Sequence, residues 1–126
     1  MTKNFTDLAL AILRIGFSGM MLTHGIPKLN MLADPSDFPD PLGVSPTISL
    51  ILTLIAEVLA PIFVIIGFKT KLATIPVVIT MFVAAFIIHG SDPWAKKEMA
   101  LLYLIAFVVI FLAGPGRYAI DGRKGR

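Results

Sequence analysis

"ISLILTLIAEVLAPIFVIIGF", residues 48–68, decides which solvent this chain is built for. Glu57 is its single charge, and no polar stripe recurs at helical spacing. A helix in a water-soluble bundle keeps a polar outer face, and this segment has none. At 1.5 Å per residue it covers about 30 Å, the hydrocarbon thickness of a bilayer.

Three further apolar runs flank it. The pattern predicts helices over about 7–25, 46–68, 71–89 and 93–113, with one long outer loop at 27–45, all within a single domain of residues 1–126. Alternation typical of strands is scarce, and a helix satisfies its backbone groups within the segment, as hydrocarbon demands. The expected fold is all-α, an integral membrane four-helix bundle. Composition agrees: 56% of residues are hydrophobic, mean hydropathy is +0.86, and only 15% are charged. Soluble domains carry about 25% charged residues. The net charge of +3 does not indicate nucleic acid, because the Lys and Arg sit in short connections and the tail, without interleaved aromatics. With no cysteine, the chain has no disulfide, thiolate metal site or CxxC motif of its own. The first run reads as a retained anchor rather than a signal peptide, since Arg14 interrupts it and no small-residue cleavage site follows.

Punctuation places the boundaries. Ser45-Pro46 and Asp92-Pro93 each set a capping residue before a proline, opening helices two and four. Gly67, followed by "FKTK", closes helix two and turns tightly into helix three. "PKLNMLADPSDFPDPLGVS", residues 27–45, is the only long connection. Lys3, Lys69, Lys71, Arg117, Arg123, Lys124 and Arg126 fall on one side, against Lys28, Lys96 and Lys97 on the other. Basic connections stay inside, so both termini are expected in the cytoplasm and the proline-rich loop outside. Trp94 and Tyr118 fall where interfacial aromatics belong.

Two charges lie within the spans. Counted from His24 and from Pro46, Arg14 and Glu57 fall about 15 and 16 Å deep on consecutive helices. An arginine at mid-span costs at least about 2.5–3.5 kcal/mol, so a partner is expected and an Arg14–Glu57 ion pair follows. Such a pair either locks helix one to helix two or forms the floor of a site. Pro61, four residues after Glu57, removes the backbone hydrogen bond to the Glu57 carbonyl and should kink helix two. His24, His89 and Glu98, with Lys28 at the edge, fall near the outer ends of their helices. They form either one polar mouth or separate residues touching headgroups.

These residues narrow the chemistry. A haem between His24 and His89 is disfavoured, since each lies so near a helix end that the ring would be half exposed. No ExxH pairs mark a di-metal site, so no metal is expected. No histidine lies at the depth of Ser18, and "GPGRYAIDGRKGR" lacks the strand–turn–helix context of a nucleotide loop. A pocket holding an arginine, two carboxylates and two histidines among Phe and Met suits the carbonyls of a quinone and a proton relay to them.

"LRIGFSGMMLTHGIPKL", "AEVLAPIFVIIGFKTKLATIP", "MFVAAFIIHG" and "EMALLYLIAFVVIFLAGPGRYAID" together resemble the DoxX family of small bacterial membrane proteins, over about residues 13–121. The resemblance implies a four-helix membrane bundle in the bacterial cytoplasmic (inner) membrane. It also implies association with quinone-linked oxidoreductases: the family is named from a subunit associated with a terminal quinol oxidase, and DoxD-like relatives belong to thiosulfate:quinone oxidoreductase. Arg14, His24, Glu57, His89 and Glu98 match polar positions of the family pattern. Two readings stand. One is a multi-pass redox component that binds a quinone or another small molecule, its cofactor and turnover left open. The other is a non-catalytic assembly subunit for a partner redox protein or for further copies of itself.

Overall fold

The computed structural model describes residues 2–123. Lys124 and Arg126, both in the charge count above, lie outside the described residues. Helix α1 (Thr2–Gly25) passes directly into a 3-10 helix, Ile26–Ala33, and a short 3-10 turn follows at Pro35–Asp37. Helix α2 spans Pro46–Ile66, α3 spans Thr70–Ile88 and α4 spans Trp94–Ala113, with a last 3-10 turn at Asp121–Arg123. No strand occurs among the described residues.

Local chemistry explains most of these boundaries. The Ser45 hydroxyl accepts the Ile48 N–H at 3.1 Å, and Pro46 occupies the first turn of α2, as the Ser-Pro pair predicts. Gly67 ends α2 in the left-handed region, at φ 75°. Its neighbour Lys69 is also left-handed, at φ 53°, which makes the link to α3 tight. The cap of α3 comes from far along the chain: the Asp121 carboxylate accepts the N–H groups of Lys69 and Thr70, at 3.0 and 2.8 Å. The expected Asp92 cap is corrected. Helix α4 begins at Trp94 without a side-chain cap, because the Asp92 carboxylate is taken by His89 Nδ1 at 2.9 Å.

The α-helical hydrogen bonding of α2 is interrupted just before Pro61. Proline has no N–H to give the Glu57 carbonyl, and residues Ile55–Leu59 open into a π turn in which the Ala60 N–H reaches back to Ile55. A second π turn, Ala84–Ile88, closes α3, with the His89 N–H on the Ala84 carbonyl at 3.0 Å.

The loop at 27–45 is also corrected, since its first part is helical and packs along the Pro46–Leu54 part of α2. The level of α1 therefore differs from the one counted on the sequence. Gly25 lies against the Glu57 backbone so closely that an added Cβ would overlap the Glu57 carbonyl. Arg14 lies opposite Val64 and Ile65. Residues 14–33 are thus the part alongside α2, and residues 5–13 extend about 14 Å past its Gly67 end. The segment after α4 covers that extension: the Arg117 N–H donates to Asp7 at 3.2 Å, and Gly116 packs on Leu10.

Met21, Val64, Val77, Phe107 and Ile110 are fully buried at the bundle axis, beside Ala60, Ala73, Ala85 and Ala100. Such small residues let helices approach closely where lipid offers no hydrophobic drive. The antiparallel pair α3 and α4 has the most extensive contact. Outside, large apolar side chains face away from the protein, including Ile12, Leu52, Ile79, Ile105 and Leu112. A continuous apolar exterior of this kind requires a lipid solvent. Three segments, Phe5–Ala33, Pro46–Ile66 and Thr70–Ile88, are long and apolar enough to cross a membrane. Helix α4 has 20 residues but opens with Lys96, Lys97 and Glu98.

Candidate functional site

Arg14 is 1% exposed and spends its whole guanidinium on backbone carbonyls. Nη1 donates to Val64 at 2.8 Å and to Ile65, Nη2 to Tyr118 at 2.6 Å, and Nε to Pro115 at 3.2 Å. The last turn of α2 leaves carbonyls unsatisfied and carries the negative end of the helix dipole. Arg14 meets both needs and ties α1, α2 and the C-terminal segment together. Asp121 supplies the nearby negative charge.

The expected Arg14–Glu57 pair is therefore replaced by two separate arrangements. Glu57, 4% exposed, takes Lys28 Nζ at 2.6 Å instead. The physical reason is directional. Side chains on a helix lean toward its N-terminus, and antiparallel α1 and α2 have their N-termini at opposite ends. Arg14 leans toward the Gly67 end and Glu57 toward the Pro46 end. The 3-10 helix then carries Lys28 along α2, so the sequence count of depth, which stopped the first span at Gly25, placed Arg14 too close to Glu57.

Two ring-bearing residues stand near Glu57: Tyr103, and His24, the neighbour of the Gly25 that packs on the Glu57 backbone. Tyr103 of α4 is 7% exposed and feels the negative charge of Glu57. Its ring meets His24 edge-on at 5.7 Å and Phe17 edge-on at 5.9 Å. The ring is held between two neighbours of α1, seven residues apart on one face. Glu57, Lys28, Tyr103 and His24 thus come from four elements: α2, the 3-10 helix, α4 and α1.

The other expected members stand apart. His89 is bound to Asp92 in the connection before α4. Glu98 is exposed. The buried face of α4 runs through Ala100, Tyr103, Phe107 and Ile110. At 100° per residue, Glu98 lies about 200° from Ala100, on the far side. The mouth formed by His24, His89 and Glu98 is corrected accordingly: His24 belongs to the Glu57 cluster, His89 to the connection, and Glu98 to the surface. Tyr103 was not singled out from the sequence, although its period with Ala100, Phe107 and Ile110 carries the signal. Asp121 had no local signal, since its targets lie 51 and 52 residues away.

A buried carboxylate paired with an ammonium, with a phenol and an imidazole nearby, can hold and move a proton, and the ammonium and phenol can donate hydrogen bonds to a carbonyl. No group of three or more His, Asp or Glu gathers to hold a metal among the described residues. His24 and His89 are held by different partners, one on Tyr103 and one on Asp92.

An all-helical chain with a lipid-facing exterior and a buried polar cluster is a helical membrane protein. More narrowly, it belongs to the DoxX family, whose model matches residues 9–90. It is 29% identical over 128 residues to an uncharacterized protein of Haemophilus influenzae, covering 96% of this chain and 94% of that one. No solved structure matches.

Proposed function

We propose that the chain is a four-span protein of the bacterial inner membrane with both termini cytoplasmic. In this reading it serves a redox system by binding a quinone or a similar small carbonyl compound beside Glu57. The carrying observation is the Lys28–Glu57 pair at 2.6 Å, its carboxylate buried and its ammonium partly exposed, near the Tyr103–His24 ring contact. Retaining an ion pair in this setting costs desolvation energy that an apolar pair would not, which favours a task for it. Lys28 would orient a ligand carbonyl, Glu57 would hold the exchanging proton, and His24 would pass it toward the 3-10 helix end. The distribution of Lys and Arg supports the orientation. The length and apolar remainder of α4 support the fourth span.

The test is a titration of the purified protein with a short-chain ubiquinone. Glu57→Gln and His24→Ala should each weaken binding about tenfold or more, a loss of about 1.4 kcal/mol. Binding unchanged in both variants, or absent in the wild type, rejects the reading.

Arg14 favours a second reading, a non-catalytic membrane subunit. The charge costliest to insert is spent entirely on the chain's own carbonyls, which serves assembly. A stoichiometric partner retained from native membranes by Glu57→Gln would support this alternative.

A further inference from the structure

At the Gly67 end, an open cavity of about 460 Å³ lies between the first turn of α3 and the segment that follows α4. Lys69, Thr70, Lys71, Gly114, Gly116 and Asp121 contribute to its wall. Neither lysine has a carboxylate in ion-pair contact among the described residues. Lys69 Nζ rests over the Phe68 ring at 5.7 Å, and Lys71 Nζ over the Phe111 ring at 6.0 Å. Asp121 contributes a negative charge, but its carboxylate oxygens are engaged by the Lys69 and Thr70 N–H groups. With two ammonium groups against one carboxylate, the wall keeps a net charge of +1. The Thr70 hydroxyl, fully buried at this wall, has no hydrogen-bond partner. Leu72 lines the cavity and Leu112 precedes the wall residue Ala113; the two are 66% and 71% exposed and present apolar surface to lipid.

We propose that this cavity binds the phosphate of an anionic phospholipid, with Lys69 and Lys71 on the phosphate and the acyl chains against Leu72 and Leu112. Its position suits a lipid better than a free anion. The cations stand where α2 ends and α3 begins, a basic connection of the kind that lies among headgroups, and exposed apolar side chains begin beside them. Which leaflet supplies the lipid rests on the orientation proposed above; whether the lipid binds does not.

The experiment is native mass spectrometry of the detergent-solubilised full chain, titrated with dioctanoyl phosphatidylglycerol or dioctanoyl phosphatidylcholine. The expected result is one retained phosphatidylglycerol adduct, at least tenfold tighter than phosphatidylcholine. Lys69→Asn with Lys71→Gln should reduce that preference at least tenfold; asparagine tolerates the left-handed backbone at position 69. Lys96→Gln with Lys97→Gln, which removes the same charge from the opposite end, should leave binding unchanged. A circular dichroism spectrum matching the wild type confirms that the first double variant is folded. Should that variant unfold, single Lys71→Gln replaces it and should reduce the preference at least threefold. Equal binding of the two lipids, or an unchanged preference in the folded variant, overturns the proposal. Lysine-dependent binding of inorganic phosphate, displacing the lipid completely, would assign the cavity to a free anion and overturn it as well.

Discussion

Gly25 packs its backbone directly on the carbonyl of Glu57, the carbonyl that Pro61 deprives of its usual N–H. Helix α1 and the π turn of α2 therefore meet at their closest where the polar cluster begins. The contact also fixes the level of Glu57, opposite the end of α1 rather than opposite Arg14.

Gly25→Ala should force α1 away from α2, because the new Cβ has no room beside Glu57. A loss of about 1–3 kcal/mol is expected, as for overpacking elsewhere. Gly67→Ala should cost at least as much, since it adds the left-handed backbone penalty to overlap with Ala119. Unfolding in mixed detergent–SDS micelles measures both.

Arg14→Lys should lower stability by about 2–4 kcal/mol, even though the charge is kept. An ammonium cannot reproduce a guanidinium fork that serves Val64, Ile65, Pro115 and Tyr118. The same unfolding assay applies, and a loss below about 1 kcal/mol would show that the carbonyls find other donors.

The Lys28–Glu57 pair should give asymmetric single-variant effects. The Lys28 side chain is 32% exposed and the Glu57 side chain 6%, so Lys28→Met strands the more buried charge. Lys28→Met is expected to cost about 3 kcal/mol and Glu57→Gln about 1–2 kcal/mol. The double variant should recover much of the loss. A double-mutant cycle with no coupling energy would contradict the pair.

The connection before α2 should loosen in acid. Partial burial pushes the Asp40 carboxyl up. Hydrogen bonds from the Ser49 hydroxyl and the Val44, Ser45 and Gly43 N–H groups outweigh this and hold it below the ordinary carboxylate value. The folded value is depressed, so the stabilisation is present above about pH 4 and is lost as pH falls through the folded value. Hydrogen exchange at Val44 and Ser45, corrected for intrinsic rates, should accelerate there, and Asp40→Asn should remove most of the pH dependence.

Reporter fusions test the orientation. A fusion at Asp37 should report the periplasm and one at the C-terminus the cytoplasm; the reverse pattern would invert both the relay direction and the lipid leaflet.

Helical spans and several of their ends were legible in the sequence because they depend on neighbours in the chain. A 21-residue apolar run needs no tertiary information to demand lipid, and Ser45-Pro46 and Gly67 act within one turn. Glu57, His24 and Arg14 were legible as costly or unusual residues, each conspicuous in its apolar segment. Their partners were not legible. Lys28 reaches Glu57 because the chain after Gly25 stays helical and runs along α2. Arg14 and Asp121 find partners 50 to 104 residues away, at the end where the C-terminal segment folds back. Periodicity reports the face a residue occupies, whereas pairing depends on the relative level and lean of separate helices. Those are set only when Gly25 closes on Glu57 and the bundle packs.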